Sequence, residues 1–217
     1  IIGCVVKASK KWVSSSRCRR AATFIGPAIS ESMQRNGVPD DELDKAVTVY
    51  RKYYADEAVF DDPNNPGQKV PGRLNNTIYK GIPEQLARLR ADGYRLIIAS
   101  CKPQYQCIPI CEHFHLDTMV DGIYGASKDN SRLDKDQVIR WAFEHIGYDE
   151  SAGDKALMVG DRWTDADGAK HAVWIAWDAV GVTLNPENCR SMACIASSIP
   201  WTSWRRPLTE YFNSYSR

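Results

Sequence analysis

The sequence predicts an α/β fold: a parallel β-sheet covered by helices, with a smaller helical region ahead of it. Three observations carry this expectation. Short apolar runs at Tyr94 to Ala99, Gly122 to Ala126 and Ala156 to Val159 alternate with helical periodicities, the pattern of a parallel sheet covered on both faces. Residues from about Ile29 to Tyr54 read as helical without any such run. Between the two regions lies Asp61-Asp62-Pro63-Asn64-Asn65-Pro66-Gly67, almost entirely turn formers, which marks a boundary between Asp61 and Asn76. The organisation expected is a helical region over 1–76 and an α/β core over 77–217.

The elements follow in order. Pro39-Asp40-Asp41-Glu42 is a helix start, with acids in its first turn. Leu43, Val47, Tyr50 and Tyr54 then recur at spacings of three and four, an amphipathic stripe. Pro83 to Ala91 reads as a helix with Leu86 and Leu89 inward, followed by the strand Tyr94 to Ala99. Gln104 to Phe114 reads as a helix that Pro109 is expected to kink. Gly122 to Ala126 is a short strand. Lys135 to Ile146 is a helix with Val138, Ile139, Ala142 and Ile146 on one face, and Ala156 to Val159 is the strand after it.

Composition narrows the function classes. The 217 residues are 43% hydrophobic and 25% charged with a net charge of +1, so nothing favours nucleic acid or another polyanion as partner. No apolar run approaches the ~20 residues of a membrane span. Ile1-Ile2-Gly3-Cys4-Val5-Val6-Lys7 has no signal-peptide layout, and seven irregularly spaced cysteines indicate a reducing, cytoplasmic setting. Cys107, Cys111 and Phe114 lie at helical spacing. They read as small core residues rather than as a metal cluster with His113 and His115.

The chemistry concentrates at three places. Met158-Val159-Gly160-Asp161-Arg162-Trp163-Thr164-Asp165 is an apolar run that ends in Gly-Asp, with a second Asp four residues on. Open α/β sheets place ligands at such strand ends, and two carboxylates there suit a hard cation such as Mg²⁺. Leu96-Ile97-Ile98-Ala99 ends in Ser100-Cys101-Lys102-Pro103, where a hydroxyl and backbone N–H groups before a helix make an anion cradle. Ser131-Arg132-Leu133-Asp134-Lys135 puts a cation at a helix opening, where the helix dipole disfavours it; a role beyond helix stability follows.

In this order the three segments resemble motifs II, III and IV of the haloacid dehalogenase-like (HAD) phosphatases. Thr23-Phe24-Ile25-Gly26-Pro27, Tyr50-Arg51-Lys52-Tyr53-Tyr54, Tyr79-Lys80-Gly81-Ile82, Glu112-His113-Phe114-His115-Leu116 and Gly125-Ala126-Ser127 look like the phosphoglycolate-phosphatase-like branch. The resemblance covers roughly 23–172. It implies a Rossmann-like core with a small helical cap that closes over the site. It also implies Mg²⁺-dependent hydrolysis of a small phosphorylated metabolite through an aspartyl-phosphate. Asp161 and Asp165 would serve the metal. Ser100 and the backbone N–H of Cys101 would bind the phosphoryl oxygens. Lys135 would neutralise charge on the nucleophile and the transferred group.

Two segments depart from the family pattern. The nucleophile motif Asp-x-Asp-Gly-Thr is not found; Asp165-Ala166-Asp167-Gly168-Ala169 is the nearest string and belongs to motif IV. Ile1 to Ala8 looks like the family's first helix, so the chain is expected to start downstream of its nucleophile and central strand, and to be inactive as given. The other reading is a non-catalytic relative that binds a phosphorylated ligand. Residues 173–206, with Trp174, Trp177, Trp201 and Trp204, show no clear periodicity. A shifted reading frame would account for them.

Overall fold

The computed structural model describes residues 2–9, 29–129, 131–160, 163–170 and 175–178. The chain divides into two compact units, Ile1–Ile78 and Tyr79–Arg217.

The first unit holds α1 (Ile2–Ser9), α2 (Ile29–Arg35) and α3 (Leu43–Arg51), which runs on into a π-helical turn at Lys52–Asp56. A two-stranded antiparallel ribbon, β1 (Phe60–Asp61) and β2 (Lys69–Val70), closes the turn-rich loop. Cys4, Val5, Met33, Val38, Ala46, Val47 and Tyr50 form its core. The helical region expected over 29–54 is two helices, broken ahead of the expected start at Pro39. Gly37 takes φ +89°, and the N–H of Val38 donates to the Met33 carbonyl at 3.1 Å while that of Gly37 donates to Gln34 at 2.9 Å. This is a glycine helix stop, which satisfies the last carbonyls of α2. A 3₁₀ turn at Asp40–Glu42 then starts α3.

The second unit holds the α/β elements: α4 (Ile82–Ala91), β3 (Ile97–Pro103), α5 (Gln104–His113), β4 (Gly122–Ala126), α6 (Lys135–Ile146), β5 (Leu157–Gly160), α7 (Trp163–Lys170) and β6 (Ile175–Asp178). Both pairings are parallel. β3 joins β4 from Ile97 opposite Gly122 to Ser100 opposite Gly125. β5 joins β6 from Leu157 opposite Ile175 to Gly160 opposite Asp178. Among the described residues the two pairs form separate sheets. They are linked through the helices: α6 packs on β3 and β4, α7 packs on β5 and β6, and α6 packs on α7. The inward face of α6 is Val138, Ile139 and Ala142, each at most 2% exposed. Cys107 and Cys111 are likewise buried, on α5.

Two boundaries differ from the sequence expectation. The strand expected over 94–99 begins later, because Gly93 (φ +88°) turns the chain and Leu96 is tied to Asp121, whose carboxylate accepts from the Leu96 N–H at 2.7 Å. It also runs further, through Ser100 to Pro103, with a register shift between Ser100 and Pro103. The expected cradle is therefore a bulged strand end rather than a free loop; bulges often re-aim side chains beside a site. Lastly, β6 lies inside the segment that showed no periodicity, and the remainder of 173–206 lies outside the described residues.

Candidate functional site

The site is assembled around Lys135. Its helix starts cleanly: the Gln137 side-chain oxygen accepts from the backbone N–H groups of Leu133 (2.8 Å) and Asp134 (3.2 Å), so two N–H groups that the helix cannot pair internally are satisfied. That start fixes Lys135 in the first turn of α6. Its side chain turns inward rather than to solvent. The ammonium donates to the Ala99 carbonyl of β3 at 2.8 Å and forms an ion pair with Asp165 Oδ1 at 2.7 Å. Only 8% of the Lys135 side chain and 12% of the Asp165 side chain are exposed. A charge that deep is stable only when paired and hydrogen-bonded.

Two of the residues singled out in the sequence, Lys135 and Asp165, therefore meet, and a third, Ser100, is next to their contact in the chain. Asp165 lies in the first turn of α7, Lys135 in that of α6, and Ser100 directly follows the residue whose carbonyl Lys135 grips. The Ser100 hydroxyl oxygen accepts from the Lys102 N–H at 3.2 Å, which turns the strand end toward the start of α5. Cys101 is exposed. Asp161 lies outside the described residues. Among the described residues no three His, Cys, Asp or Glu side chains converge as metal ligands. Asp165 supplies a carboxylate whose Oδ1 holds Lys135 and whose Oδ2 lies against Gly160. An all-oxygen donor of this kind fits Mg²⁺ and not a thiolate-seeking metal.

Gly125 and Arg132, which the sequence showed only as members of short motifs, support the site. Gly125, one residue before the end of β4, faces the bulge: a Cβ there would stand 2.6 Å from the Lys102 carbonyl oxygen and 2.7 Å from the Gln104 backbone. Its N–H donates to the Gln104 side chain at 3.2 Å, and its carbonyl accepts from Arg132 Nε at 3.1 Å. The Arg132 guanidinium lies 3.4 Å over the Trp141 ring. The loop before α6 is thus braced onto the end of β4. Burial raises the thiols of Cys107 and Cys111 above the ordinary range, that of Cys111 to about 11, so both stay neutral beneath the site.

The model of the haloacid dehalogenase-like hydrolase family matches residues 4–174. The chain belongs to that family. Among curated relatives it is 32% identical over 151 residues to a 5'-nucleotidase of Pseudomonas aeruginosa, covering 69% of this chain and 61% of that protein. It is 30% identical over 149 residues to the tyrosine-protein kinase PtkA of Mycobacterium tuberculosis, covering 69% of this chain and 45% of that protein. The aligned part thus spans about half to three-fifths of these relatives' lengths. Among solved structures, that of a predicted phosphatase from Clostridium acetobutylicum superposes with a TM-score of 0.69 at 25% identity, covering 89% of this chain and 83% of that one. This HAD-family chain therefore carries a phosphatase-like hydrolase fold, with Lys135 and Asp165 paired at the ends of its helices.

Proposed function

We propose that this HAD-family chain carries the phosphoryl site of a Mg²⁺-dependent phosphomonoester hydrolase acting on a small phosphorylated metabolite. The observation that supports it most is the buried ammonium of Lys135 between the Ala99 carbonyl and Asp165. It puts a fixed positive charge on the carbonyl of Ala99, the residue before Ser100, and a phosphoryl group needs both a cation and a hydroxyl donor. Phosphoryl transfer depends mainly on positioning and charge stabilisation. In this reading Ser100 and the N–H of Cys101 hold phosphoryl oxygens, and Lys135 offsets their negative charge. Asp161 and Asp165 would hold Mg²⁺, which supplies Lewis-acid polarisation of a phosphoryl oxygen. Phosphoglycolate is the first substrate to test; the relative named 5'-nucleotidase brings nucleoside 5'-monophosphates in beside it.

The 217 residues contain no Asp-x-Asp-Gly-Thr string. This favours a second reading for the chain taken alone: it binds a phosphorylated ligand without turning it over. One experiment separates the two. Phosphate release is measured from phosphoglycolate, nucleoside 5'-monophosphates, a sugar phosphate and pyrophosphate with and without Mg²⁺, beside calorimetric titration with inorganic phosphate. Mg²⁺-dependent release establishes the hydrolase. Phosphate binding that Ser100→Ala weakens, without release, establishes the phosphate site and removes turnover by these 217 residues alone. Neither release nor binding removes both.

A further inference from the structure

Two glycines flank the Lys135–Asp165 pair, one on each partner. A Cβ at Gly168, in α7, would stand 2.4 Å from Lys135 Cβ, 2.5 Å from Lys135 Cγ and 3.0 Å from the Asp136 backbone nitrogen. A Cβ at Gly160, the last residue of β5, would stand 2.3 Å from Asp165 Oδ2, 2.4 Å from its Cβ and 2.5 Å from its Cγ. Neither residue is among the glycines with positive φ, so backbone conformation does not call for glycine at either place. Space does. Non-bonded carbons rest at about 3.5–4.0 Å, so any side chain at 168 would push α7 away from the first turn of α6 by about 1 Å. Lys135 Cβ is fixed by the backbone of α6, so no rotamer change relieves that contact. Glycine is also a poor residue inside a helix, which makes its presence in an eight-residue helix a local cost set against close approach.

We infer that Gly168 and Gly160 are positioning residues of the site. By leaving no atom between α7 and α6, Gly168 lets the Lys135 ammonium reach Asp165 Oδ1 and the Ala99 carbonyl together. By leaving the end of β5 bare, Gly160 lets the Asp165 carboxyl lie back over the strand instead of swinging away. The inference rests on the reading of Lys135 and Asp165 as the phosphoryl site. The geometry it explains, an ion pair seated where a helix, a strand end and a second helix meet, is independent of that reading.

The test follows the lysine itself. The 217-residue chain and its variants are treated with a limiting amine-acylating reagent, and the labelling rate of Lys135 is read by peptide mass spectrometry against those of Lys80 and Lys155. Phosphate affinity is measured on the same samples. Gly168→Ala is expected to raise the Lys135 rate about tenfold, and to weaken phosphate binding by at least about tenfold, since a 1 Å misplacement is felt strongly at such sites. Lys80 and Lys155 should keep their rates. The control Ala169→Gly, at a buried position of the same helix, loosens α7 without placing an atom against Lys135. It should lower the melting temperature and leave the Lys135 rate alone. A wild-type Lys135 rate in folded Gly168→Ala overturns the inference. If that variant does not fold, Gly160→Ala, whose Cβ meets the Asp165 side chain, carries the test with the same expected rise, and a wild-type rate overturns it. A faster Lys135 in a chain that binds no phosphate even as wild type keeps the positioning role and removes the phosphoryl-site reading.

Discussion

Replacing Asp165 by Ala takes away the anion that Lys135 meets at 2.7 Å and leaves an ammonium on a side chain that is 8% exposed, still donating to the Ala99 carbonyl. Breaking one partner out of a buried pair costs about 3–5 kcal/mol, mostly the penalty of an uncompensated charge. The surviving hydrogen bond to Ala99 places this case at the lower end, about 3 kcal/mol. Lys135→Met, which keeps the aliphatic stem, removes the cation that Asp165 Oδ1 meets at 2.7 Å and should cost about 2–3 kcal/mol by the same argument. The double variant has no stranded charge. It should therefore cost about 3 kcal/mol rather than the ~5–6 of simple addition, a coupling of about 2–3 kcal/mol. Urea titration followed by far-UV circular dichroism reads these as midpoint shifts at constant slope. In thermal melts, Asp165→Ala should lower the midpoint by about 9 °C. Additive single effects, with a coupling below about 0.5 kcal/mol, would show that the two side chains do not support each other and would refute the reasoning.

Further outcomes follow from the same structure. Gly125→Ala forces a Cβ against the backbone of Lys102 and Gln104 and should destabilise the second unit by about 1–3 kcal/mol, measurable in the same urea series. Ser100→Ala removes the hydroxyl that accepts from the Lys102 N–H; stability should fall by about 1 kcal/mol, while phosphate affinity in calorimetry should fall by about tenfold or more. At pH 8, iodoacetamide should modify exposed Cys101 well before buried Cys107 and Cys111, which peptide mapping would show. Burial raises Cys111 from 9.0 to about 11, so its folded pKa exceeds its unfolded one. Its contribution to stability is complete below pH 9 and is lost as pH rises from 9 toward 11; urea midpoints across that window should fall with pH, and fall less in Cys111→Ala.

How far the sequence could be read depended on the range of the interaction involved. Helix faces such as Val138, Ile139 and Ala142 were legible because periodicity is a local property that burial then enforces. The strands Gly122–Ala126 and Leu157–Gly160 showed as apolar runs for the same reason, whereas the stop at Gly37, ahead of the Pro39 start, shows in the structure through its positive φ. The bulged extension of β3 was not legible, because a register shift is set by the partner strand and by the room that Gly125 leaves.

Residue types and order, by themselves, determined the α/β class, the family and the candidacy of Ser100, Lys135 and Asp165, since these rest on chemistry carried by each short segment. Only tertiary packing decided that Lys135 turns inward from the first turn of α6 to join Asp165 and the Ala99 carbonyl. Those partners lie 30 and 36 residues away along the chain. Their meeting depends on how closely α7 approaches α6, where a side chain at Gly168 would meet Lys135, a constraint between elements distant in the chain that no local pattern records.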